Sequence, residues 1–381
     1  MKISKLFFNH PWQELKRFKK LSDLERTIVF YAENKASINH CHALINELTE
    51  KRDLQICYVT SVKDDPMLSS KNPKIKSFYI GTGNARIQFF VTLQAKILLM
   101  DMPDLGSFHI KRSKVHPVHY IYIFHSMFSS HSYLRKEALD NYDTIFCVGK
   151  HHIDEIRKSE EVYGLKPKKL IKYGFGRLDD LLKEKNQKID SVNRNVILIT
   201  PTYGNDNLLE TCGIELIDIL LNANLKVVLR PHFKILKDST KLIKSIQNKF
   251  GSNPNFSLEN GKIPPKLFHN SLCMISDWSG ISFEYAFTFE RPIIFIDVPK
   301  KILNPNYNDI FLEPIEVTHR NQLGHVVLPS NLNVIPELIK NMNEISNSSK
   351  QIKKILSETV FNIGESAKVG ANFIQQLIVS N

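Results

Sequence analysis

Short, unbroken apolar runs alternate with longer amphipathic stretches along most of this chain. In the first half the runs Thr27–Ala32, Leu54–Val59, Ile75–Ile80, Ile97–Met100, Tyr120–Phe124, Thr144–Val148 and Leu170–Tyr173 predict strands, being rich in β-branched and aromatic residues. Helical periodicity falls between several of them, at His42–Leu48, Ala85–Leu93, Tyr133–Leu139 and His151–Lys158. This is the rhythm of a parallel sheet covered by helices.

The stretch Leu182–Asn195 is polar, charged and aperiodic, and reads as a linker. The alternation then restarts. Val196–Thr200, Lys226–Leu229, Leu272–Ile275 and Ile293–Ile296 predict strands, and Leu208–Leu221, Ser239–Phe250 and Ile281–Phe289 predict helices. Two further helices are expected at Val334–Ile345 and Ala367–Val379. The fold expected is α/β: two Rossmann-like domains, 1–185 and 193–381, facing a central cleft in a GT-B arrangement. In open α/β sheets ligands bind beyond the carboxyl ends of the strands, so residues just after strands are the first candidates for chemistry.

Composition narrows the class. The 381 residues exceed one ordinary core and suit two domains. No apolar run reaches the roughly 18 residues that span a bilayer. The first twenty residues lack the apolar centre and cleavage site of a secretory signal. The five cysteines have no CxxC or metal-ligand spacing and read as reduced core residues of a cytoplasmic protein. A net charge of +12 suits nucleic acid, an anionic membrane or phosphorylated substrates. Without an RRM-like signature, a zinc finger or a basic tail, nucleic acid is the least favoured of these. Leu6–Leu21 mixes Phe, Trp and Leu with Lys and Arg, as an interfacial helix or an ordinary half-buried first helix would.

Candidate chemistry sits at strand ends. In MISDWSGISFEYAFTFERPIIFIDVP (Met274–Pro299) a strand ends at Ser276 and Asp277, and Ser279 and Gly280 precede a helix. Its first amides suit a phosphate, with serine hydroxyls adding bonds. Equally, Ser279 caps the helix and Asp277 satisfies a turn. VVLRPHF ends a strand in Arg230, Pro231 and His232, a cation beside a histidine fit for a diphosphate. A strand delivers His125 to its carboxyl end, where an imidazole can take a proton from an acceptor hydroxyl. His131, His151 and His152 dilute that signal. Arg177, in YGFGRLDDLL, and Thr202, in ITPTYGND, repeat the strand-then-turn logic. There is no Walker A, GxSxG, HExxH or metal-binding DxD.

Together, from Tyr120 to Pro299, these segments resemble the CDP-glycerol glycerophosphotransferase family of teichoic-acid primases and polymerases and their capsule-synthesis relatives. SDWSGISFEYAFTFERPIIF is similar to the family's S/T-D-x-S-S-x-x-x-[DE] opening and [KR]-P-[IV] strand. His232 matches its R-x-H strand end and His125 its W-H-G motif. The resemblance implies a GT-B transferase that moves glycerol phosphate, or a related polyol phosphate, from a CDP-activated donor to a hydroxyl on a membrane-linked polymer or glycan. It implies release of CMP, no cofactor, no obligatory metal, and a cytoplasmic site peripheral on the inner membrane face. It makes His125 and His232 the catalytic pair, with His125 the base. Arg230, Ser276, Asp277, Ser279, Gly280, Thr202 and Arg177 would hold the donor. Phe124 and Ser126 replace the motif's tryptophan and glycine, and Gly280 replaces its second serine. Two other readings stand beside it: a GT-B glycosyltransferase using a nucleotide sugar, and a Rossmann-like scaffold without turnover that binds membrane or nucleic acid.

Overall fold

The apolar runs become two parallel sheets in the computed structural model, which describes residues 11–186, 194–259, 265–342 and 346–379. The first sheet holds β1 (Ile28–Ala32), β2 (Ile56–Thr60), β3 (Ile75–Tyr79), β4 (Ile97–Met100), β5 (His119–Ile123), β6 (Thr144–Cys147) and β7 (Lys169–Lys172), in the order 3-2-1-4-5-6-7. The second holds β8 (Val196–Thr200), β9 (Lys226–Leu229), β10 (Phe256–Leu258), β11 (Ser271–Ser276), β12 (Ile293–Ile296) and β13 (Gly324–Val327), in the order 10-9-8-11-12-13. Every strand pair is parallel. Central strands such as β1, β2, β4, β8 and β12 are buried along their whole length, which is why their sequences show no alternation. Strand order reverses between β1 and β4 in the first sheet and between β8 and β11 in the second.

Several expectations need correction. Tyr133–Leu139 is not a helix. The chain makes a short helical turn at Ser130–Tyr133 and then a series of turns, with Glu137 in the left-handed region at φ 72°. Carboxylates from two distant elements bind that short turn and override the local periodicity. The helix Gly176–Lys185 runs into the expected linker, and residues 187–193 lie outside the described residues. Edge strands β10 and β13 had no sequence expectation.

The first described helix is Pro11–Lys19. Its Leu15 and Phe18 are buried, and Phe18 makes edge contacts with Phe78 and Phe89 at 5.4 and 5.3 Å. Its apolar face is therefore core, and residues 6–10 of the proposed interfacial segment lie outside the described residues. No helix among the described residues is long and apolar enough to cross a membrane.

The chain finally returns to its beginning. The last helix, Ser366–Val379, packs Ala371, Phe373 and Ile374 among Ile28, Phe30, Ile56 and Phe146 of the first sheet. Asp179 accepts from Gly364 N and Ser366 N, at 2.7 and 2.9 Å, and so caps that helix. Gly174 lets the crossing pass: at φ 103°, a Cβ there would lie 2.3 Å from the Phe361 carbonyl oxygen.

Candidate active site

A cleft of about 280 Å³ lies between the carboxyl ends of the two sheets. His125, Thr202, Arg230, His232, Ser279 and Gly280 all line it. A larger groove of about 700 Å³ opens at the opposite, amino ends of β1, β4 and β5, where Arg112 is paired with Asp143 at 3.0 Å. Ligands of such sheets sit at the carboxyl ends, so the smaller cleft is the candidate.

On the first-half wall, β5 ends at Ile123 and the chain turns at His125. The ring's Nδ1 is 3.3 Å from the Tyr122 hydroxyl, and Tyr133 packs edge-on at 5.4 Å. Burial lowers the His125 pKa, so the imidazole is neutral at pH 7 and able to accept a proton. His40 stands behind it at 6.2 Å between ring centroids, within 4.0 Å of Asp101. The three neighbouring histidines bind backbone instead. His151 and His152 reach the Met127 and Phe128 carbonyls at 2.9 Å each, and His131 reaches the Leu312 carbonyl at 2.8 Å. Phe124 is buried and stacks on His152 at 3.7 Å, so its ring does not face an acceptor, whereas Ser126 does line the cleft.

On the second-half wall, Arg230 follows β9 directly. His232 caps the short helix Phe233–Asp238, its Nδ1 accepting from Lys234 N at 3.2 Å. That bond leaves the proton on Nε2 and makes the ring a donor. Burial, then Lys301, Arg230 and Lys234, push its pKa down to about 4. His232 thus serves the cleft and the helix together. The helix Ile281–Phe289 starts at Gly280 with no side-chain cap bond, which leaves the Ser279 hydroxyl available to the cleft. Glu284, one turn in, lines the cleft and lies 3.6 Å from Arg177 Nε, which reaches over from the first half. Burial raises the Glu284 pKa, and Arg177 and Arg230 oppose that rise. Arg177 therefore joins the site through Glu284.

Ser276 and Asp277 lie beneath this wall. The Ser276 hydroxyl is fully buried and donates to Thr200 O at 2.6 Å. The Asp277 carboxylate, 1 % exposed, accepts from Thr202 N and Leu208 N at 2.7 and 2.9 Å. Both bind backbone: they tie the β8 and β11 loops together and so hold Thr202 in the cleft. Neither side chain lines the cleft, and the polar atoms of both have buried partners.

Sequence reasoning overlooked Lys300, Lys301 and Tyr203. Lys301 Nζ donates to Thr202 Oγ1 at 2.8 Å and lies 3.3 Å from the centre of the Tyr203 ring. Burial pushes its pKa down to about 8. Tyr203 also packs against His232 at 4.5 Å. The signal was present: a lysine pair just past the carboxyl end of β12. Arg230, His232, Lys300, Lys301 and a helix amino terminus make one wall strongly receptive to a polyanion. The opposite wall offers a neutral imidazole. No group of three or more His, Cys, Asp or Glu among the described residues is placed to hold a metal ion.

Comparison with known proteins agrees with this geometry. Residues 15–301 match the family model described as CDP-glycerol:poly(glycerophosphate) glycerophosphotransferase. No curated protein matches the chain. Among solved structures, the wall teichoic acid polymerase TagF is similar with a TM-score of 0.62 and 14 % identity, over 97 % of this chain and 94 % of that one. The UDP-GlcNAc 2-epimerase from Neisseria meningitidis is similar with a TM-score of 0.57 and 16 % identity, over 93 % of this chain and 100 % of that one. At such identities these likenesses show the fold, two Rossmann-like halves in the GT-B arrangement.

Proposed function

Because this chain belongs to the CDP-glycerol:poly(glycerophosphate) glycerophosphotransferase family, we propose that the cleft between its halves binds CDP-glycerol against the second half and a polymer hydroxyl against the first. The observation that carries this reading is the division of labour across the cleft. Arg230, His232, Lys301 and the Ser279–Gly280 helix terminus stand on one side, and His125 on the other.

The chemistry is a displacement at phosphorus. His125 accepts the proton of the acceptor hydroxyl as its oxygen bonds to the β-phosphorus. The bond from that phosphorus to the bridging oxygen breaks, and CMP leaves with the electron pair. Arg230, the Nε2–H of His232, Lys301 and the first helix amides hold the charge that builds on the leaving phosphate. Thr202 and Ser279 add hydroxyl donors, and Arg177 orients the wall through Glu284. A preorganised wall of this kind is the main source of rate in phosphoryl transfer.

The acceptor is a membrane-linked polyol phosphate or glycan of the cell surface, presented by peripheral contact of this basic chain with an anionic membrane. Incubation with CDP-glycerol, CDP-ribitol, CMP-sugars and UDP-sugars, with and without a glycerophosphate-primed lipid acceptor, tests the reading. Acceptor-dependent CMP release from CDP-glycerol is expected. Nucleotide release from a UDP-sugar alone would replace it with glycosyl transfer.

A further inference from the structure

Beyond β12 the chain runs from Pro299 to Pro314 as a strap laid across both halves. It starts on the donor wall with Lys300 and Lys301 and then crosses to the loop that follows His125. The Ser132 carbonyl accepts from Leu303 N and Asn304 N at 2.9 and 3.2 Å, and Asn304 Nδ2 donates to the His131 carbonyl at 2.9 Å. Farther along, Asp309 accepts from the Tyr163 hydroxyl at 2.9 Å. Just past the strap, Glu316 accepts from Ser129 N and Ser132 Oγ at 2.9 and 2.7 Å. The strap is fixed along its length, yet it turns large apolar side chains outward: Ile302 is 41 % exposed, Leu303 50 % and Phe311 86 %. Phe311 does so in the left-handed region at φ 52°, an unfavourable conformation for an aromatic residue.

A fourth apolar side chain joins this edge through Tyr203. The Tyr203 ring lies against Lys301, Lys234 and His232 at 3.3, 4.1 and 4.5 Å, and the His232 ring meets Phe233 at 4.4 Å. Phe233 is 66 % exposed. Ile302 and Leu303 line one hollow with Tyr203, and Leu303 also lines the cleft. An exposed apolar residue by itself is ordinary, but three on one strap with a fourth beside it mark an interaction surface. Side chains that project singly from separate turns suit a bilayer, whose headgroup and acyl boundary closes around each of them. The charge fits an anionic sheet of headgroups. The chain carries +12, and Lys234 and Lys237 follow Phe233 with Asp238 as the acid of that helix. Both acids of the strap are engaged, Asp309 with Tyr163 and Glu313 with Lys300 at 3.0 Å.

We propose that Ile302, Leu303, Phe311 and Phe233, with Lys234 and Lys237, form the edge by which this protein docks on an anionic bilayer. This rests on the reading of the acceptor as membrane-linked. The apolar side chains enter the boundary between headgroups and acyl chains, and the lysines lie among the lipid phosphates. Transfer of the Phe311 ring out of water offsets the strain of its backbone. Leu303 belongs to the edge and to the cleft together, so a lipid held at this edge presents its headgroup between the donor wall and His125.

The test is co-sedimentation of the full chain with vesicles of phosphatidylcholine, with and without phosphatidylglycerol. The wild type should bind the anionic vesicles, more weakly as salt rises, and the neutral ones about tenfold less. The double variant Ile302→Ser, Phe311→Asn should lose about tenfold or more in binding to the anionic vesicles. Asparagine accepts the left-handed conformation, so that variant should keep or raise the thermal unfolding midpoint. Leu24→Ser is the control: Leu24 is 86 % exposed at the groove on the amino ends of the first sheet, and its loss should leave binding unchanged. CMP release with a water-soluble glycerophosphate acceptor should be unchanged in the double variant, while turnover of a vesicle-embedded primed lipid falls with the binding. A wild type that ignores anionic vesicles, a double variant that binds as well as the wild type, or a Leu24→Ser control that loses as much would overturn the proposal. If the double variant loses vesicle binding but the wild type does not turn over CDP-glycerol, the donor reading fails and the docking edge stands.

Discussion

Ser126 and Gly280 face each other across the cleft, and a Cβ built on Gly280 would lie 3.3 Å from the Ser126 hydroxyl oxygen. The family pattern places glycine at the first position and serine at the second, so this chain carries its hydroxyl on the opposite wall. Gly280 has helical backbone at φ −57°, so a serine there meets no backbone strain, only Ser126. Gly280→Ser should lower kcat/KM for CDP-glycerol several-fold, and adding Ser126→Gly should restore most of it. A coupling of about 0.5–3 kcal/mol is expected for residues in contact. Independent, additive effects would show that the two walls do not meet in the working enzyme.

His232 is a neutral donor throughout the physiological range, its pKa being pushed down to about 4. Donor affinity should therefore show no histidine-like step between about pH 6 and pH 8. His232→Ala should weaken CDP-glycerol binding about tenfold, the value of one lost hydrogen bond to a charged group. Calorimetric titration across that range checks both statements.

Lys301 gives donor binding a different pH limit. Its pKa, pushed down to about 8, means the ammonium is present below that pH and lost above it. Affinity for CDP-glycerol should weaken as pH rises through about 8 in the wild type. In Lys301→Met it should be weaker by about tenfold and flat across the same range. A wild-type affinity that holds steady to about pH 9 would remove Lys301 from the donor wall.

Asp277 should act through stability. Replacing it by alanine leaves the buried Thr202 and Leu208 amides without partners, at about 1–3 kcal/mol each. Denaturant unfolding of Asp277→Ala should show a loss in that range, with Asp277→Asn milder because its carbonyl still accepts one amide. A direct donor ligand would give the reverse: normal stability and poor binding.

The fold was legible where burial is symmetrical. The helix Ile281–Phe289 and the strand Ile293–Ile296 appear in the structure at the bounds their sequences imply, since both are apolar runs with clear punctuation. The two edge strands of the second sheet escaped because Phe256–Leu258 is three residues long and Gly324–Val327 opens on glycine. Tyr133–Leu139 has helical periodicity, yet Glu155 and Glu316 bind the preceding turn from elements far away in sequence. The same limit applies to the site. Strand-end logic reached His125, Arg230, His232 and Ser279, but it cannot say which way a polar side chain faces. Ser276 has the hydroxyl of a phosphate ligand, yet it and Asp277 bind backbone within the fold. Glu316 was invisible because its partners lie in the opposite half.

The measurement that reaches the centre of the account is acceptor-dependent CMP release from CDP-glycerol by His125→Ala, with donor affinity measured on the same sample. The neutral, cleft-lining imidazole predicts a fall of about 10²–10⁴-fold in turnover with donor affinity unchanged. Turnover that survives the substitution would contradict it and place the base elsewhere in the cleft.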